Sequence, residues 1–426
     1  MRQTQDHPLR YALANELHAR PFPALQAPAQ AVYLAVKRPS EPAEADLAAD
    51  VAHLTGLLDR FGAKHPQPGA THYFGDLGPY TLKWERHTEF VTYTVFVPSL
   101  EQRPFDKQSF DVFPADWLAD LPGQRITSAL IRVEHKPDPK DIMDRLGDWF
   151  VPESLAASSI LDGTAVMAGD FRFDSAGHMR FAVFVRPDAG PRRVGRIVQR
   201  ICEIETYKAM SMLGLVRVRE MSSRLGVIDG QLQALTQAMA EQSAGAEETL
   251  GGLLSIASEL ESISAQTSFR FGATKAYATL VAQRIDVLRE DRFEERQSFR
   301  EFMARRFDPS MRTVQAAEAR LESMAARAAR TGDLLRTRVD VDRSAQNQVL
   351  LASMDRRAAL QLRLQKTVEG LSVVAISYYA VNLASYLLYP AAGPLGLSKG
   401  TLTAMLTPLV IGAVYLLVRR IRREAE

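Results

Sequence analysis

Cysteine is almost missing from this sequence, and histidine and tryptophan are missing from more than half of it. The only cysteine among the 426 residues is Cys202, which excludes a disulfide framework within one chain and favours a reducing compartment. All eight histidines and all three tryptophans precede residue 179, so most of the aromatic and titratable chemistry belongs to the first part of the chain. A net charge of only +2 argues against nucleic acid as a partner.

Motifs that bind nucleotides or catalytic metals are also absent. The sequence contains no G-x-x-x-x-G-K-[ST], G-x-G-x-x-G, H-E-x-x-H or C-x-x-C pattern. Cys202 lies in an apolar helical context, and buried thiols are usually inert. We therefore predict that the protein is not an enzyme, that it has no catalytic residues and that it needs no cofactor.

Strand-like and helix-like segments share the first 188 residues. Runs of β-branched and aromatic residues predict strands at 31–38 and 87–97 and a hairpin at 164–185. Apolar residues at helical spacing, and Pro139 at a helix start, predict helices within 41–61 and 137–150. The first region is thus predicted to be a cytoplasmic α+β domain, 1–188, that folds alone and ends at a linker, 186–191.

The second region, 191–366, is predicted to be helical. Between residues 192 and 366 the only proline is Pro309, where one helix is expected to end and the next to begin. Apolar residues step by three and four along two stretches: Leu253, Ile256, Leu260, Ile263 and Thr267, then Val314, Ala317, Leu321, Met324, Ala328, Thr331 and Leu335. Such seams predict long helices packed as a coiled coil or bundle, and a compact helical domain is the alternative.

Two uncharged apolar runs near the end of the chain predict a transmembrane hairpin. The first is 368–389, in which Gly370–Tyr389 has no charge and would span roughly 30 Å as a helix. The second is 401–418. Buried core helices are the alternative, but they do not explain two such runs in succession followed by "RRIRRE".

Basic residues predict the orientation of this hairpin. Arg363 and Lys366 precede the first run, and a basic tail, 419–426, follows the second, whereas the loop between the runs carries only Lys399. By the positive-inside rule both flanks are cytoplasmic, so both termini and the first 366 residues are predicted to lie in the cytoplasm. The lipid bilayer is then one partner of the protein.

The segment "NELHARPF" places His18 and Arg20 close to an acid near the start of the chain. A helix over residues 9–19 would pair Glu16 with Arg20 on its surface and end before Pro21. We expect His18 and Arg20 to position this segment, with Arg20 bound to a carboxylate such as Glu85 or Glu89. A binding role for His18 or Arg20, completed by residues from elsewhere, is the alternative.

The segment "KWERHTEF", 83–90, is a second candidate site. In one continuous strand Glu85, His87 and Glu89 would share a face, where they could bind a divalent cation or another ligand, and Trp84 and Arg86 would lie on the opposite face. A turn near His87 would break this geometry. A solvated face of cross-strand charge pairs is the third possibility.

Three arginines form a stripe on the helix predicted to begin the second region. Arg192, Arg196 and Arg200 recur every four residues, and positive charge at a helix start opposes the helix dipole. Acidic residues are expected to compensate them, either in the first domain or at Glu203 and Glu205. Phospholipid or another anion is the alternative.

Three motifs carry a resemblance to a known family. "ANELHARPF", "WERHTEF" and "EIETYKAMSMLGL", together with the hairpin, resemble the bacterial family called domain of unknown function thirty-four twenty-two, over essentially the whole chain. The resemblance implies a membrane-attached cytoplasmic protein of the bacterial inner membrane. It implies no activity and no catalytic residue.

The order of the regions is also similar to that of CorA-type divalent-cation channels. Such channels carry Gly-Met-Asn, often after Tyr, at the end of the first span, and this chain matches only at Tyr379 and Asn382. The leading hypothesis is a non-enzymatic membrane scaffold that self-associates as a homo-oligomer and presents the α+β domain to a cytoplasmic protein partner. A CorA-like channel and a metal- or ligand-sensing membrane protein are the alternatives.

Overall fold

The computed structural model describes residues 6–11, 22–38, 44–241, 245–392 and 398–425. The chain divides into two compact units. We call residues 1–241 with 251–331 the sheet unit, and residues 242–250 with 332–426 the hairpin unit.

The sheet unit contains a nine-stranded mixed sheet. Its strands are β1 Ala29–Lys37, β2 His72–Leu77, β3 Tyr80–Arg86, β4 Phe90–Val97, β5 Gln124–His135, β6 Ala156–Ile160, β7 Ala165–Gly169, β8 Met179–Val185 and β9 Asp291–Arg292. Their order across the sheet is β2-β3-β4-β1-β5-β8-β7-β6-β9. Strands β5 and β8 pair in parallel, with Ala129 opposite Met179, and the other neighbouring pairs of this sheet are antiparallel.

Eight α-helices accompany these strands in the described residues. They are α1 Glu44–Arg60, α2 Ala115–Ala119, α3 Pro139–Trp149, α4 Pro191–Glu241, α5 Ala246–Asp286, α6 Phe299–Arg306, α7 Asp308–Ala392 and α8 Lys399–Ala425. A 3-10 helix, Lys107–Val112, precedes α2. Helix α6 begins with a capping box in which Ser298 and Glu301 each bind the other's backbone N–H, and α7 begins at Asp308, where the sequence predicts a new helix.

Because successive side chains along a strand point to opposite faces, each face of the sheet packs into its own hydrophobic core. On one face Val32, Leu34 and Trp84 pack with apolar residues of α1 and α2. On the other face Ala31 and Tyr33 pack with apolar residues of α4 and α6, and with the end of α5. Helix α3 covers β6, β7 and β8 in a third cluster. The sheet is therefore buried on both sides over most of its width.

The predicted boundary at 186–191 does not separate two compact units. Val194, Ile197 and Ile201 of α4 are almost fully buried in the core that includes the sheet. The contact is so close that a Cβ on Gly195 would lie 1.8 Å from the carbonyl oxygen of Pro23. Helix α4 belongs to the sheet unit because its apolar stripe covers a sheet face that would otherwise be exposed to water.

Apart from Leu335, the residues of the predicted helical seams belong to the sheet unit. Leu253, Leu260, Val314, Leu321 and Met324 are buried, whereas Ile263 and Ala317 are half-buried. Ion pairs join α4 to both neighbours, from Arg224 to Glu259 on α5 and from Arg320 to Asp229 on α7. The heptad pattern therefore corresponds to packing of helices within one chain.

The hairpin unit ends in two apolar helices. The last part of α7 and helix α8 are both long and apolar enough to cross a membrane. Ser385 and Thr403 connect the two helices through a 3.3 Å hydrogen bond between their hydroxyl groups, and Val381 and Val414 are buried. Most of the large side chains here are exposed, including Leu387 at 73% and Leu409 at 71%.

Candidate functional site

The continuous strand considered for residues 83–90 is interrupted by a turn, and the strand predicted at 87–97 begins only at Phe90. Strand β3 ends at Arg86, β4 begins at Phe90, and the His87 N–H donates to the Phe90 carbonyl at 2.8 Å. The His87 ring stacks on the Phe90 ring with 4.4 Å between centroids. Glu85, His87 and Glu89 therefore do not share one strand face, which was the geometry required by the metal hypothesis. Among the described residues no group of three or more His, Cys, Asp or Glu side chains is arranged to hold a metal ion.

Glu89 is bound to helix α5. Its carboxylate is 5% exposed, pairs with the Arg270 guanidinium and accepts a 3.1 Å hydrogen bond from the Tyr277 hydroxyl. Burial, followed by the negative charge of Glu89, raises the pKa of Tyr277 above its ordinary value. This buried network ties the β3–β4 turn to α5.

The other candidate residues on β3 have structural contacts. Trp84 is fully buried in the core beneath α1 and α2. The backbone N–H of Arg86 donates to the Thr71 carbonyl at 2.8 Å, and the Arg86 side chain is half-buried. His18 and Arg20 lie outside the described residues. Phe22, at the end of the same motif, lies 5.8 Å from the Arg196 guanidinium.

A cavity of about 330 Å³ opens between the sheet and helices α4 and α5. Strands β1, β3 and β4 provide one wall, and Gln199, Arg200, Glu203 and Arg284 provide charged and polar groups from the helices. Of the residues proposed from the sequence, the cavity brings together three: Glu85, His87 and Arg200. It does not include Glu89 or Arg192.

Ion pairs and hydrogen bonds form a chain along the cavity wall. Lys83 pairs with Glu85 at 3.1 Å and donates to the side-chain Oε1 of Gln199 at 2.9 Å. The Gln199 amide then donates to Glu203 at 2.8 Å, and Glu203 pairs with Arg284. The two carboxylates of the cavity, Glu85 and Glu203, are each neutralised by a neighbouring cation.

Neutral groups form the inner end of the cavity. The hydroxyl groups of Tyr33 and Thr206 are hydrogen-bonded to each other, and burial raises the pKa of Tyr33. Burial also raises the pKa of the Cys202 thiol, with the charge of Glu203 as a further cause. Both groups are therefore protonated at neutral pH, and the inner end of the cavity carries no charge.

The three predicted arginines have different environments. Arg192 is exposed, Arg196 is half-buried, and Arg200 is half-buried in the cavity wall. The compensation expected from Glu203 and Glu205 goes to other cations, because Glu203 pairs with Arg284 and buried Glu205 pairs with Lys208 at 2.6 Å. Within the described parts of the chain, no hydrogen bond or ion pair is formed by the Arg200 side chain. Burial, followed by the nearby charge of Arg196, lowers the pKa of Arg200.

A family model matches nearly the whole chain. The match covers residues 5–425, and the family is described as "Protein of unknown function (DUF3422)". The chain belongs to this family. No curated protein and no solved structure matches the chain significantly.

Membership of the DUF3422 family confirms the resemblance read from the three motifs, and similarity to CorA-type channels is not shown. Tyr379 and Asn382, the residues of that comparison, lie within α7, where the Tyr379 side chain is 72% exposed. The helix continues past both positions to Ala392.

Among the cavity residues that the sequence did not mark as a site are the four that form the chain of ion pairs and hydrogen bonds with Glu85: Lys83, Gln199, Glu203 and Arg284. Lys83 and Glu203 lie within the motifs "KWERHTEF" and "EIETYKAMSMLGL", and this position was the one local signal for them. Arg284 is separated from Glu203 by about eighty residues, and no local pattern marks it. In this cavity Lys83 and Arg284 are paired with carboxylates, the groups at the inner end are protonated, and Arg200 has no partner among the described residues.

Proposed function

We propose that this protein is a non-enzymatic scaffold of the bacterial inner membrane that presents its sheet unit to the cytoplasm. The observation that carries the proposal is the exposure of large apolar side chains on two neighbouring helices. Leu387 and Leu409 would cost free energy in water, whereas a bilayer would cover both. Neither apolar run contains a charged residue between Gly370 and Tyr389 or between Thr401 and Val418.

The flanking arginines support the orientation. Arg419 and Arg420 follow the second apolar run directly, and Lys399 is the single charge in the connection between the helices. The Lys399 ammonium lies 5.6 Å from the Tyr386 ring and 5.9 Å from the Tyr389 ring, the pairing of aromatic and basic residues typical of a membrane interface.

Extraction and labelling test this proposal. Sodium carbonate should leave the protein in the membrane pellet. In intact cells an impermeant thiol reagent should label Lys399→Cys, whereas the exposed cytoplasmic position of Thr313→Cys should be labelled only after lysis. Extraction into the soluble fraction, or labelling of Thr313→Cys in intact cells, would disprove the proposed topology.

Self-association is supported by a separate observation. Within the hairpin unit, α7 exposes Leu350, Leu351, Met354, Leu360 and Leu364 before its uncharged run begins. Helices that expose leucine at this density commonly bury it against another helix. Native mass measured in detergent should exceed that of one 47.3 kDa chain. A dimer would favour a scaffold, whereas a pentamer with magnesium flux in liposomes would favour the CorA-like alternative.

A further inference from the structure

The cavity in the sheet unit has one more positive charge than it can neutralise. Three cationic side chains line it, Lys83, Arg200 and Arg284, against the two carboxylates of Glu85 and Glu203. Lys83 pairs with Glu85, and Arg284 pairs with Glu203. The Lys, Arg and Glu side chains of the lining therefore have a net charge of +1, and Arg200 is the residue that carries it.

Arg200 is the cationic side chain of the cavity wall that has no protein partner among the described residues. The residue is half-buried, remains protonated at any physiological pH, and lies one turn from Arg196 on the same helix. Nothing in the described residues accepts a hydrogen bond from its guanidinium. Its donors are therefore available to an anion that enters the cavity, and water is all that such an anion would displace from them.

The other lining residues indicate the size and polarity of the rest of the ligand. Aromatic rings of Tyr33, Phe90 and Phe96 line the cavity beside the hydroxyl groups of Thr92 and Thr94. At about 330 Å³ the cavity is near the lower limit of ordinary small-molecule sites and has room for roughly ten water molecules. A compact molecule with a flat or apolar body and one charged end therefore fits both its size and its surface.

We propose that this cavity binds a small organic carboxylate, with the carboxylate accepting hydrogen bonds from Arg200 and the apolar body packed against the aromatic wall. A carboxylate carries the single negative charge that the net lining charge requires, and it matches the two parallel donors of a guanidinium. A phosphate monoester would bring close to two negative charges, one more than the unpaired arginine offers. The proposal does not depend on the scaffold function, because it rests on the sheet unit alone.

Calorimetry on the full chain in detergent tests the charge requirement. The probes are benzoate, benzamide and phenyl phosphate. Benzamide has nearly the shape of benzoate without the charge, so it also measures nonspecific uptake by the micelle. Benzoate should bind with a Kd at least about tenfold lower than that of benzamide, as expected when a charge-assisted hydrogen bond is lost. Equal binding of the two, or no binding of benzoate up to millimolar concentration, would overturn the proposal, and tighter binding of phenyl phosphate would overturn the assignment to carboxylates.

Two variants of α4 separate binding from structure. Arg200→Met keeps the apolar stem and removes the charge, while Arg219→Met makes the same change at an exposed position of the same helix. Arg200→Met should raise the Kd for benzoate about tenfold or more, and Arg219→Met should leave it unchanged. The melting temperature of the empty protein should stay the same or rise in Arg200→Met, because an unpaired charge has been removed. A fall in that temperature together with unchanged benzoate binding would show that Arg200 is structural and that the proposal is wrong.

Discussion

The two units use their apolar residues in opposite ways. In the sheet unit large side chains such as Phe181 and Phe299 are about 1% exposed, and the sheet is covered on both faces. In the hairpin unit Tyr386 and Leu387 are more than 70% exposed although their helices are regular. Burial of apolar surface within the chain therefore stabilises the sheet unit far more than the hairpin unit, and the proposed bilayer would cover the side chains that the hairpin unit exposes.

The sheet unit also buries some of its charge. It contains buried ion pairs such as Glu89 with Arg270 as well as surface pairs such as Arg224 with Glu259, and in the hairpin unit Glu247 and Arg343 pair on the surface. All eight histidines belong to the sheet unit. Stability in water, its dependence on buried charge and its dependence on pH should therefore all be properties of the sheet unit.

Truncation should produce the largest effect. A fragment of residues 1–331 keeps α4, α5 and α6 on the sheet and should melt cooperatively without detergent. A fragment of residues 1–188 exposes the sheet face that Val194, Ile197 and Ile201 cover, so it should show no cooperative transition. Circular dichroism during heating distinguishes the two. A cooperative melt of residues 1–188 would restore the domain boundary predicted from the sequence.

Replacement of one large apolar side chain by alanine should change the free energy of unfolding in the sheet unit but not in the hairpin unit. Phe299 packs against Phe171 with 4.9 Å between ring centroids, and Phe299→Ala should lower the free energy of unfolding by about 3–5 kcal/mol. The matched change in the hairpin unit, Leu387→Ala, should have little effect on the same transition because that side chain is exposed. Denaturant titration in detergent measures both, and a comparable loss in Leu387→Ala would show that it lies in a packed core.

Loss of the buried ion pair between Glu89 and Arg270 should lower the free energy of unfolding somewhat less than Phe299→Ala. Glu89→Gln leaves the Arg270 charge without its carboxylate, and we expect a loss of about 3 kcal/mol in the free energy of unfolding. Glu247→Gln breaks a surface pair with Arg343 and should not change the melt measurably. The double variant Glu89→Gln with Arg270→Met should recover part of the loss. If Glu89→Gln is as stable as the parent, the network does not hold the β3–β4 turn.

The smallest expected effect is on the pH dependence of stability. Burial lowers the pKa of His53 and His178, so the folded protein holds both rings neutral where the unfolded chain begins to bind protons. Their contribution is present above the ordinary pKa of 6.5 and is lost as pH falls below it toward the lowered folded values. His178→Asn should reduce the fall in melting temperature between pH 7.5 and 5.5. An unchanged slope in His178→Asn would contradict this assignment.

Sequence patterns predicted the parts of the fold that depend on neighbouring residues. The hairpin around Asp174 is one example, because its carboxylate accepts from the Ala176 and His178 N–H groups at 2.8 and 2.9 Å. The start of α7 at Asp308 is another. Both are determined by local chemistry that a short window of sequence contains.

Features that depend on distant residues were not predicted. Nothing in the pattern of α4 indicates whether its apolar stripe packs on a sheet or on a second helix, which is why the domain boundary was placed before it. The cavity has the same difficulty, since its charged wall combines β3 with α4 and the end of α5. Glu89 was proposed as a ligand from the alternation of side chains along a strand. Its actual partners, Arg270 and Tyr277, follow it by about 180 residues, and no local pattern indicates them.

Strand β9 pairs with β6 but is synthesised much later, so one edge of β6 stays unpaired while the chain is being made. Ser158 of β6 pairs with Arg292 of β9, and the Phe299 N–H donates to the Ser158 hydroxyl, so the partner of this edge is made about 130 residues after β6. At typical rates of translation β6 would remain an open edge for roughly 7–26 s. An unpaired edge of "AASSI" is able to pair with another nascent chain. Faster elongation between residues 160 and 292 would shorten the time in which neighbouring chains on one messenger RNA can associate through it.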